Sequence, residues 1–166
     1  MDYDATIKVK GQPIGENEPT YFIADLASNH DRDIFRAKEL IWLAKESGAN
    51  AAKFQHFKAD KLVSKSGFQR VTKQAKHQST WASSVFDIYH ANEYNRDWDN
   101  ELHDECEKAE IHFMTSPYDI EAIDKVEPLI AAYKIGSGEC NNTPLIEHIA
   151  QFGKPMIVST GMNNIK

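Results

Sequence analysis

Short apolar runs alternate along the chain with longer segments in which apolar residues recur at the spacing of a helix. The runs that predict buried strands are TYFIADLASNH, NAAKFQHF, HFMTSPY, AAYKIGSG and KPMIVSTG. Four segments between them carry a helical stripe, and the first stripe consists of Ile34, Ala37, Leu40, Ile41 and Ala44. The repeated order of strand and helix predicts a parallel sheet with helical crossovers.

The spacing of these units favours a barrel. The third, fourth and fifth strands begin about 20 residues apart, and βα units this short suit a (β/α)8 fold. ATIKVK and the turn residues after it predict an N-terminal hairpin. A complete barrel takes about 250 residues. Residues 1–166 are therefore predicted to form an incomplete α/β TIM-barrel domain with about the first five βα units, unless the sheet stays open or a partner completes it.

One segment, residues 58–93, is too long for a simple connection between a strand and a helix. Long excursions of this kind often carry function. Its last part, which contains Val85, Phe86, Ile88 and Tyr89, predicts a short helix that docks on the fold. The region of Trp81 and Tyr89 either packs beneath the loop or forms a lid over a substrate.

Charge and composition argue against several classes of function. The net charge of −6 argues against nucleic acid or a membrane as the main partner. Cys106 and Cys140 match neither a disulfide framework nor a CxxC metal motif. The N-terminus lacks the apolar core of a secretory signal, and no apolar run approaches the roughly 18 residues of a membrane span. We expect a cytoplasmic protein with reduced thiols.

Polar side chains collect where the predicted strands end, the position at which parallel α/β folds bind ligands. Lys53 and Gln55 are two residues apart and share one face of a strand. Two lysines with hydroxyls and glycine-rich backbone predict a site for a phosphate-bearing anion. Carboxylates there would handle protons or bind hydroxyls. Alternatively, each lysine pairs with a structural carboxylate. The candidates are Asp25, Lys53, Gln55, Thr115, Lys134, Ser137, Glu139 and Ser159.

Several of these stretches together resemble the N-acetylneuraminate (sialic acid) synthase family. They are YFIADLASNH, AAKFQHFKADKLV, FMTSPYD and YKIGSGECNNTPLIEHIAQFGKPMIVSTGM. The resemblance implies a TIM barrel followed by an antifreeze-like domain, and a homodimer. It also implies a transferase that condenses phosphoenolpyruvate with an N-acyl hexosamine such as N-acetylmannosamine and releases phosphate. A divalent metal, manganese or magnesium, would assist.

The resemblance also assigns roles to the candidates. It implies that phosphoenolpyruvate contacts a set of lysines and hydroxyls, namely Lys53, Thr115, Lys134, Ser137 and Ser159. Asp25 and Gln55 would contact the sugar, and Glu139 would lie beside the reacting carbons. We therefore expect catalytic roles for Lys53, Lys134, Glu139 and Asp25.

The chain departs from the family pattern in places. AEIG of the family reads ADLA here, which shortens the carboxylate at Asp25, and NHNG reads NHDR, which loses a glycine. The family's metal-binding histidines lie beyond residue 166, so no metal ligand is expected in this chain. Among its own histidines only His30 and His56, at neighbouring strand ends, form a plausible pair. Alone, this chain is expected to bind phosphoenolpyruvate without turnover.

Two other functions stay open. One is another phosphoenolpyruvate-condensing enzyme, a 3-deoxy sugar acid synthase, although a phosphorylated sugar would need a further basic cluster. The other is a truncated, non-catalytic half-barrel that binds anions or a complementary chain.

Overall fold

The computed structural model describes residues 4–70, 81–161 and 163–164, and five parallel strands within these residues form the central sheet. Each strand pairs with the next one in the chain, in the order β3-β4-β5-β6-β7. The strands are β3 (Ile23–Ala27), β4 (Ala51–His56), β5 (His112–Pro117), β6 (Tyr133–Ile135) and β7 (Met156–Val158). Sequential parallel pairing is what the alternation of strands and helices predicted.

Helices connect the strands, and those outside the excursion after β4 cover one face of the sheet. They are α1 (Ile34–Glu46), α2 (Ala59–Leu62), α3 (Lys65–Arg70), α4 (Val85–Ala91), α5 (Asp99–Lys108), α6 (Ile120–Val126) and α7 (Thr143–Ala150), with a 3-10 turn at Arg96–Trp98. The largest buried cluster lies between this layer and the sheet. Phe54, Phe113 and Tyr133 of the sheet meet Ile41 and Leu102 of the helices there.

The opposite face of the sheet has two levels. Toward the start of the strands, a second apolar cluster contains Ala51 of β4, Met114 of β5 and Ala132, which directly precedes β6. Val9 of the N-terminal hairpin, β1 (Thr6–Val9) and β2 (Gln12–Gly15), packs into the same cluster. The predicted hairpin therefore covers this end of the sheet. Its turn suits the right-handed twist of the strands, because Lys10 and Gly11 both have positive φ.

The excursion after β4 packs as a small satellite of the main fold. α2, α3 and α4 surround a third cluster that contains Ala59, Val63 and Val85. The predicted docking helix at the end of the excursion is α4, which Ser84 caps by accepting a bond from the Asp87 backbone N–H. The part of the excursion from residue 71 to residue 80 lies outside the described residues.

The connection from β3 to α1 has a left-handed backbone at two residues that are not glycine. Asp31 and Arg32, the DR of the NHDR stretch, both have positive φ, 48° and 59°. A left-handed backbone disfavours residues with a Cβ atom, so glycine would fit this turn with less strain than Asp31 or Arg32. Asp33 then caps α1 through its carboxylate, which accepts from the backbone N–H groups of Phe35 and Arg36. Within the described residues, no helix has the length and apolar character that crossing a membrane requires.

Candidate functional site

The upper level of the inner sheet face is polar and open. Two positions after each apolar residue of this cluster, the next side chain on the same face is polar. Lys53 follows Ala51 in this way, Ser116 follows Met114, and Lys134 follows Ala132. These side chains line a cleft of about 400 Å³ at the carboxyl ends of the strands. Of the eight candidate residues, the cleft brings together seven: Asp25, Lys53, Gln55, Lys134, Ser137, Glu139 and Ser159.

Lys53 and Asp25 form an ion pair on the wall of the cleft. They are direct neighbours in the parallel register of β3 and β4, and Lys53 Nζ lies 2.6 Å from Asp25 Oδ1. The lysine side chain is 9% exposed and the aspartate side chain 61%. The carboxylate therefore compensates a largely buried ammonium from the solvent side. An ammonium has three N–H donors and the bond to Asp25 uses one, so pairing with a carboxylate and holding an anion are compatible roles for Lys53.

Lys134 has a different environment, because its hydrogen-bond partners in the described residues are neutral. Its Nζ donates to the backbone oxygen of Ile135 and to the hydroxyl of Ser159, both at 2.6 Å. Burial lowers the pKa of Lys134, and the positive charge of Lys53 lowers it further, while Asp25 and Glu139 oppose the shift. A positive charge that the protein only partly compensates favours an anion in the cleft.

Glu139 folds back over the end of β6. Its backbone N–H donates to the Gly136 oxygen at 3.2 Å. A Cβ atom at position 136 would lie 2.3 Å from Glu139 Oε2, so the carboxylate occupies space that the glycine leaves open. Burial raises the pKa of Glu139. Burial and the charge of Glu139 also raise the pKa values of Tyr89 and Tyr118, which line the same cleft. A carboxyl group with a raised pKa beside two lysines can exchange protons at the site.

The structure does not bring Thr115 to the cleft. Its side chain faces the helix layer and is fully buried, where Oγ1 donates to the Phe54 oxygen at 3.2 Å and lies 2.6 Å from His56 Nδ1. The cause is strand alternation, since Met114 and Ser116 share the inner face of β5 and Thr115 points the other way. The structure therefore does not place Thr115 at the cleft, where Ser116 lies instead, and the contact of Thr115 with the anion stays a prediction.

Other residues that line the cleft are not among the eight candidates, and they include Phe57, Leu62 and Tyr118. The two-residue period of β5 could have found Ser116. Phe57 directly precedes the excursion after β4 and Leu62 lies within it, where no periodic pattern indicates which side chains turn toward the cleft. Tyr89 of α4 also lines the cleft, so the excursion reaches the site.

The predicted histidine pair belongs to a buried polar layer outside the cleft. His56 Nε2 lies 2.5 Å from Asp99 Oδ1, and both side chains are buried. His30 Nδ1 accepts a bond from the Arg32 backbone N–H at 3.0 Å. Burial lowers the pKa of both histidines. In the part of the chain that the structure describes, no group of three or more His, Cys, Asp or Glu side chains could hold a metal ion.

Known proteins are similar to this chain in sequence and in fold. The sequence model of the NeuB family matches residues 40–166. The N,N'-diacetyllegionaminic acid synthase of Legionella pneumophila is 35% identical over 161 residues, which are 96% of this chain and 45% of that protein. The human N-acetylneuraminate-9-phosphate synthase is 32% identical over 156 residues, which are 93% of this chain and 43% of that protein. The chain thus spans less than half the length of these relatives.

A solved structure confirms the fold. The N-acetylneuraminic acid (sialic acid) synthetase of Leptospira borgpetersenii, in complex with citrate, superposes with a TM-score of 0.78 and 24% sequence identity. The match covers 96% of this chain and 51% of that one. The predicted fold class, the first βα units of a TIM-type barrel, is confirmed.

Proposed function

The chain belongs to the NeuB family, and we propose that it forms the phosphoenolpyruvate site of a nonulosonic acid synthase. Such an enzyme condenses phosphoenolpyruvate with an N-acyl-mannosamine-like sugar and releases phosphate. The observation that carries this proposal is the meeting of Lys53 and Lys134, from separate strands, in one cleft. Residues 1–166 would be an incomplete barrel domain, with the remaining strands and an antifreeze-like domain outside this sequence.

The cleft suits a small anion with two charged ends. Phosphoenolpyruvate carries a phosphate and a carboxylate, and two ammonium groups supply matching charge. Ser116, Ser137 and Ser159 add hydroxyl donors on three strands or their ends. Charge interactions are stronger in a partly buried cleft than in water, so the lysines both bind the ground state and stabilise charge that develops on phosphate during reaction.

The proposed reaction makes one carbon–carbon bond. C3 of phosphoenolpyruvate attacks the carbonyl carbon of the sugar, whose oxygen takes a proton. Water adds to the cationic C2 and loses a proton, which gives a tetrahedral C2 with a hydroxyl and a phosphate group. Phosphate then leaves by cleavage of its bond to C2, as the C2 hydroxyl gives up its proton and becomes the keto oxygen of the product. Glu139 is the proposed group for these proton transfers because its pKa is raised and it lies beside Lys134 in the cleft. Asp25 and Gln55 are proposed to bind sugar hydroxyls.

A divalent manganese or magnesium ion and a second subunit are also proposed for the complete enzyme. The described residues offer no metal site of their own, and two ammonium groups in the cleft would repel a cation. Following the family resemblance, the metal ligands are proposed to lie outside residues 1–166, and none of the proton transfers assigned to Glu139 depends on them. This chain alone is proposed to bind phosphoenolpyruvate without turnover.

The binding site is tested by calorimetric titration of phosphoenolpyruvate into the protein. Lys53→Met and Lys134→Met should each weaken binding at least tenfold. Lys8→Met removes the same charge from an exposed position in the hairpin, at the opposite end of the strands, and should leave binding unchanged. Equal losses in all three variants, or no binding by the parent protein, would contradict the proposal.

A second candidate function is a non-catalytic module that pairs with a complementary chain. The observation in its favour is that β3 and β7 each have a neighbour on one side only among the described residues. Phosphate release separates the candidates. Release with N-acetylmannosamine from an assembly that contains this chain supports the synthase, and release with arabinose 5-phosphate instead supports a 3-deoxy sugar acid synthase.

The relatives are named for different products, so their names do not identify one acceptor sugar. The human relative is named for a product that carries a phosphate, and the Legionella relative is named for one without it. We propose an N-acyl hexosamine as the class.

A further inference from the structure

The hydroxyl of Tyr118 lies in the candidate site beside groups that already have a proposed role. Tyr118 follows Pro117, the last residue of β5, and lines the cleft. A Cβ atom built on Gly136 would lie 3.9 Å from the Tyr118 hydroxyl and 2.3 Å from Glu139 Oε2. The phenol and the carboxylate therefore lie over the same glycine, two positions after Lys134.

We infer that Tyr118 is a further residue that contacts phosphoenolpyruvate, and that its hydroxyl donates a hydrogen bond to an anionic oxygen of this ligand. The inference rests on the proposed function and adds a neutral donor, to which the family resemblance assigns no role. Phosphate and carboxylate oxygens both accept such a bond, and a hydrogen bond to an ionised acceptor is stronger than one between neutral groups.

The hydroxyl is available to a ligand. Within the described residues, no side chain or backbone group forms a hydrogen bond with it. Tyr118 is half-buried, and its ring belongs to the lining of the cleft. A phenol that donates to a ligand therefore gives up no bond within this part of the chain.

The hydroxyl also keeps its proton at the pH values at which the lysines are charged. Burial raises the pKa of Tyr118, and Glu139, Tyr89 and Asp25 raise it further. The pKa of Lys134 is lowered instead. As the pH rises, the ammonium group of Lys134 therefore loses its charge before the phenol loses its proton. The two contributions to binding can be separated by pH for this reason.

Neighbouring rings constrain the direction of the phenol. The ring of Phe57 contacts that of Tyr118 edge to face, with centroids 6.0 Å apart and an interplanar angle of 86°. Phe57 makes a second contact of this kind with Tyr89 of α4, at 5.4 Å and 67°. Edge-to-face contacts are a preferred arrangement of aromatic rings. The excursion after β4 thus supports the wall of the cleft through Phe57.

The backbone on both sides of Tyr118 is held as well. Pro117 pairs with His56 in the parallel register of β4 and β5. Asp119 caps α6 through its carboxylate and forms an ion pair with Arg96. A donor whose ring and backbone are ordered before the ligand arrives loses little conformational entropy on binding. The geometry therefore favours a direct contact over a merely structural role.

The test removes one hydroxyl and uses a second tyrosine as its control. Tyr118→Phe deletes the proposed donor and keeps the ring. Tyr133→Phe deletes a hydroxyl that lies in the main core, outside the cleft, and has no hydrogen-bond partner among the described residues. Thermal melts check that both variants fold like the parent protein.

Calorimetric titration should show phosphoenolpyruvate binding that is about fivefold or more weaker in Tyr118→Phe and unchanged in Tyr133→Phe. The ratio between the dissociation constants of Tyr118→Phe and the parent protein should stay constant from about pH 7 to about pH 9, because the phenol remains protonated. A ratio that changes within this range would assign the effect to a titrating group and contradict the inference.

Carbon-13 NMR of protein labelled at tyrosine Cζ gives a readout that a structural role would not change. The Tyr118 resonance, identified by its absence in Tyr118→Phe, should shift when phosphoenolpyruvate saturates the parent protein. The Tyr133 resonance should stay in place. A Tyr118 resonance that does not respond to the ligand would show that the hydroxyl makes no contact with it.

The affinities also separate this inference from the function on which it rests. Parent-like binding by Tyr118→Phe, or an equal loss in Tyr133→Phe, would refute the role of Tyr118 and leave the proposed function standing. A parent protein that binds no phosphoenolpyruvate would contradict the proposed function itself.

Discussion

Replacing Lys134 with methionine should weaken ligand binding without weakening the fold. The substitution keeps an unbranched side chain of similar length and removes the ammonium group. In the free protein that group donates to Ile135 and Ser159. It contributes its charge to an anion when the ligand binds. The two effects of the substitution can be measured separately.

The size of the binding effect follows from one charge-assisted contact. Hydrogen bonds to charged groups contribute about 1.5 to 3 kcal/mol. At about 1.4 kcal/mol for each factor of ten, the loss corresponds to phosphoenolpyruvate binding that is roughly 10- to 150-fold weaker. A loss in this range would indicate that Lys134 contacts the ligand directly.

The effect on stability has the opposite sign. The pKa of Lys134 is lowered by burial and by Lys53, so the folded state disfavours its charged form. A group of this kind lowers stability at pH values below its folded pKa, and stability recovers as the pH rises through that value. Methionine removes the penalty and the repulsion. The hydroxyl of Ser159 is only half-buried, so water can replace the lost bond. The free energy of unfolding should stay constant or increase.

Calorimetric titration gives the dissociation constant and urea unfolding gives the stability. The Lys8→Met variant serves as the control for both. Binding equal to that of the parent protein would refute the reasoning. So would a binding loss that is matched by an equal loss of stability, because the lysine would then be structural.

Three further predictions concern single positions. Phosphoenolpyruvate affinity should fall as the pH rises, and the fall should begin below the ordinary lysine pKa of about 10.4, because the pKa of Lys134 is lowered. Calorimetry in a pH series measures the fall, and Lys134→Arg should abolish it. Gly136→Ala should displace the carboxylate of Glu139 into solvent and lower its pKa toward the ordinary value, as measured by carboxyl ¹³C NMR, with little change in stability. Arg32→Gly should raise the free energy of unfolding in urea by about 0.5 to 1 kcal/mol, because glycine relieves the positive φ at some cost in chain entropy.

Each of these predictions has one outcome that would contradict it. A pH dependence that persists in Lys134→Arg would assign the titration to another group. A pKa of Glu139 that does not change in Gly136→Ala would show that the carboxylate does not lie over the glycine. A stability decrease in Arg32→Gly would mean that the arginine side chain contributes more than its backbone costs.

The topology of the sheet was predictable because apolar runs and helical stripes alternate strictly in the sequence. The same reasoning placed Lys53 and Lys134 at strand ends, since a charged residue inside an apolar strand must face a polar space. Strand alternation also contains the information that distinguishes Ser116 from Thr115. Two residues in sequence, both polar and both near the end of β5, point to opposite faces, and only their register with Met114 decides which one meets the cleft.

Other parts of the site could not be predicted from local patterns. Leu62 and Tyr89 reach the cleft from the excursion after β4, whose path depends on tertiary packing around Val63 and Val85. The partner of Lys53 was also not evident from sequence. Asp25 lies 28 positions away along the chain, and the parallel pairing of β3 and β4 makes the two residues neighbours.

The most direct test is a crystal structure of the protein with bound phosphoenolpyruvate. The ammonium groups of Lys53 and Lys134 should both lie within about 3.2 Å of ligand oxygens, with the serine hydroxyls of the strand ends around the same molecule. A ligand that contacts only one of these lysines, or that binds outside the cleft while both ammonium groups keep their partners of the free protein, would contradict the account.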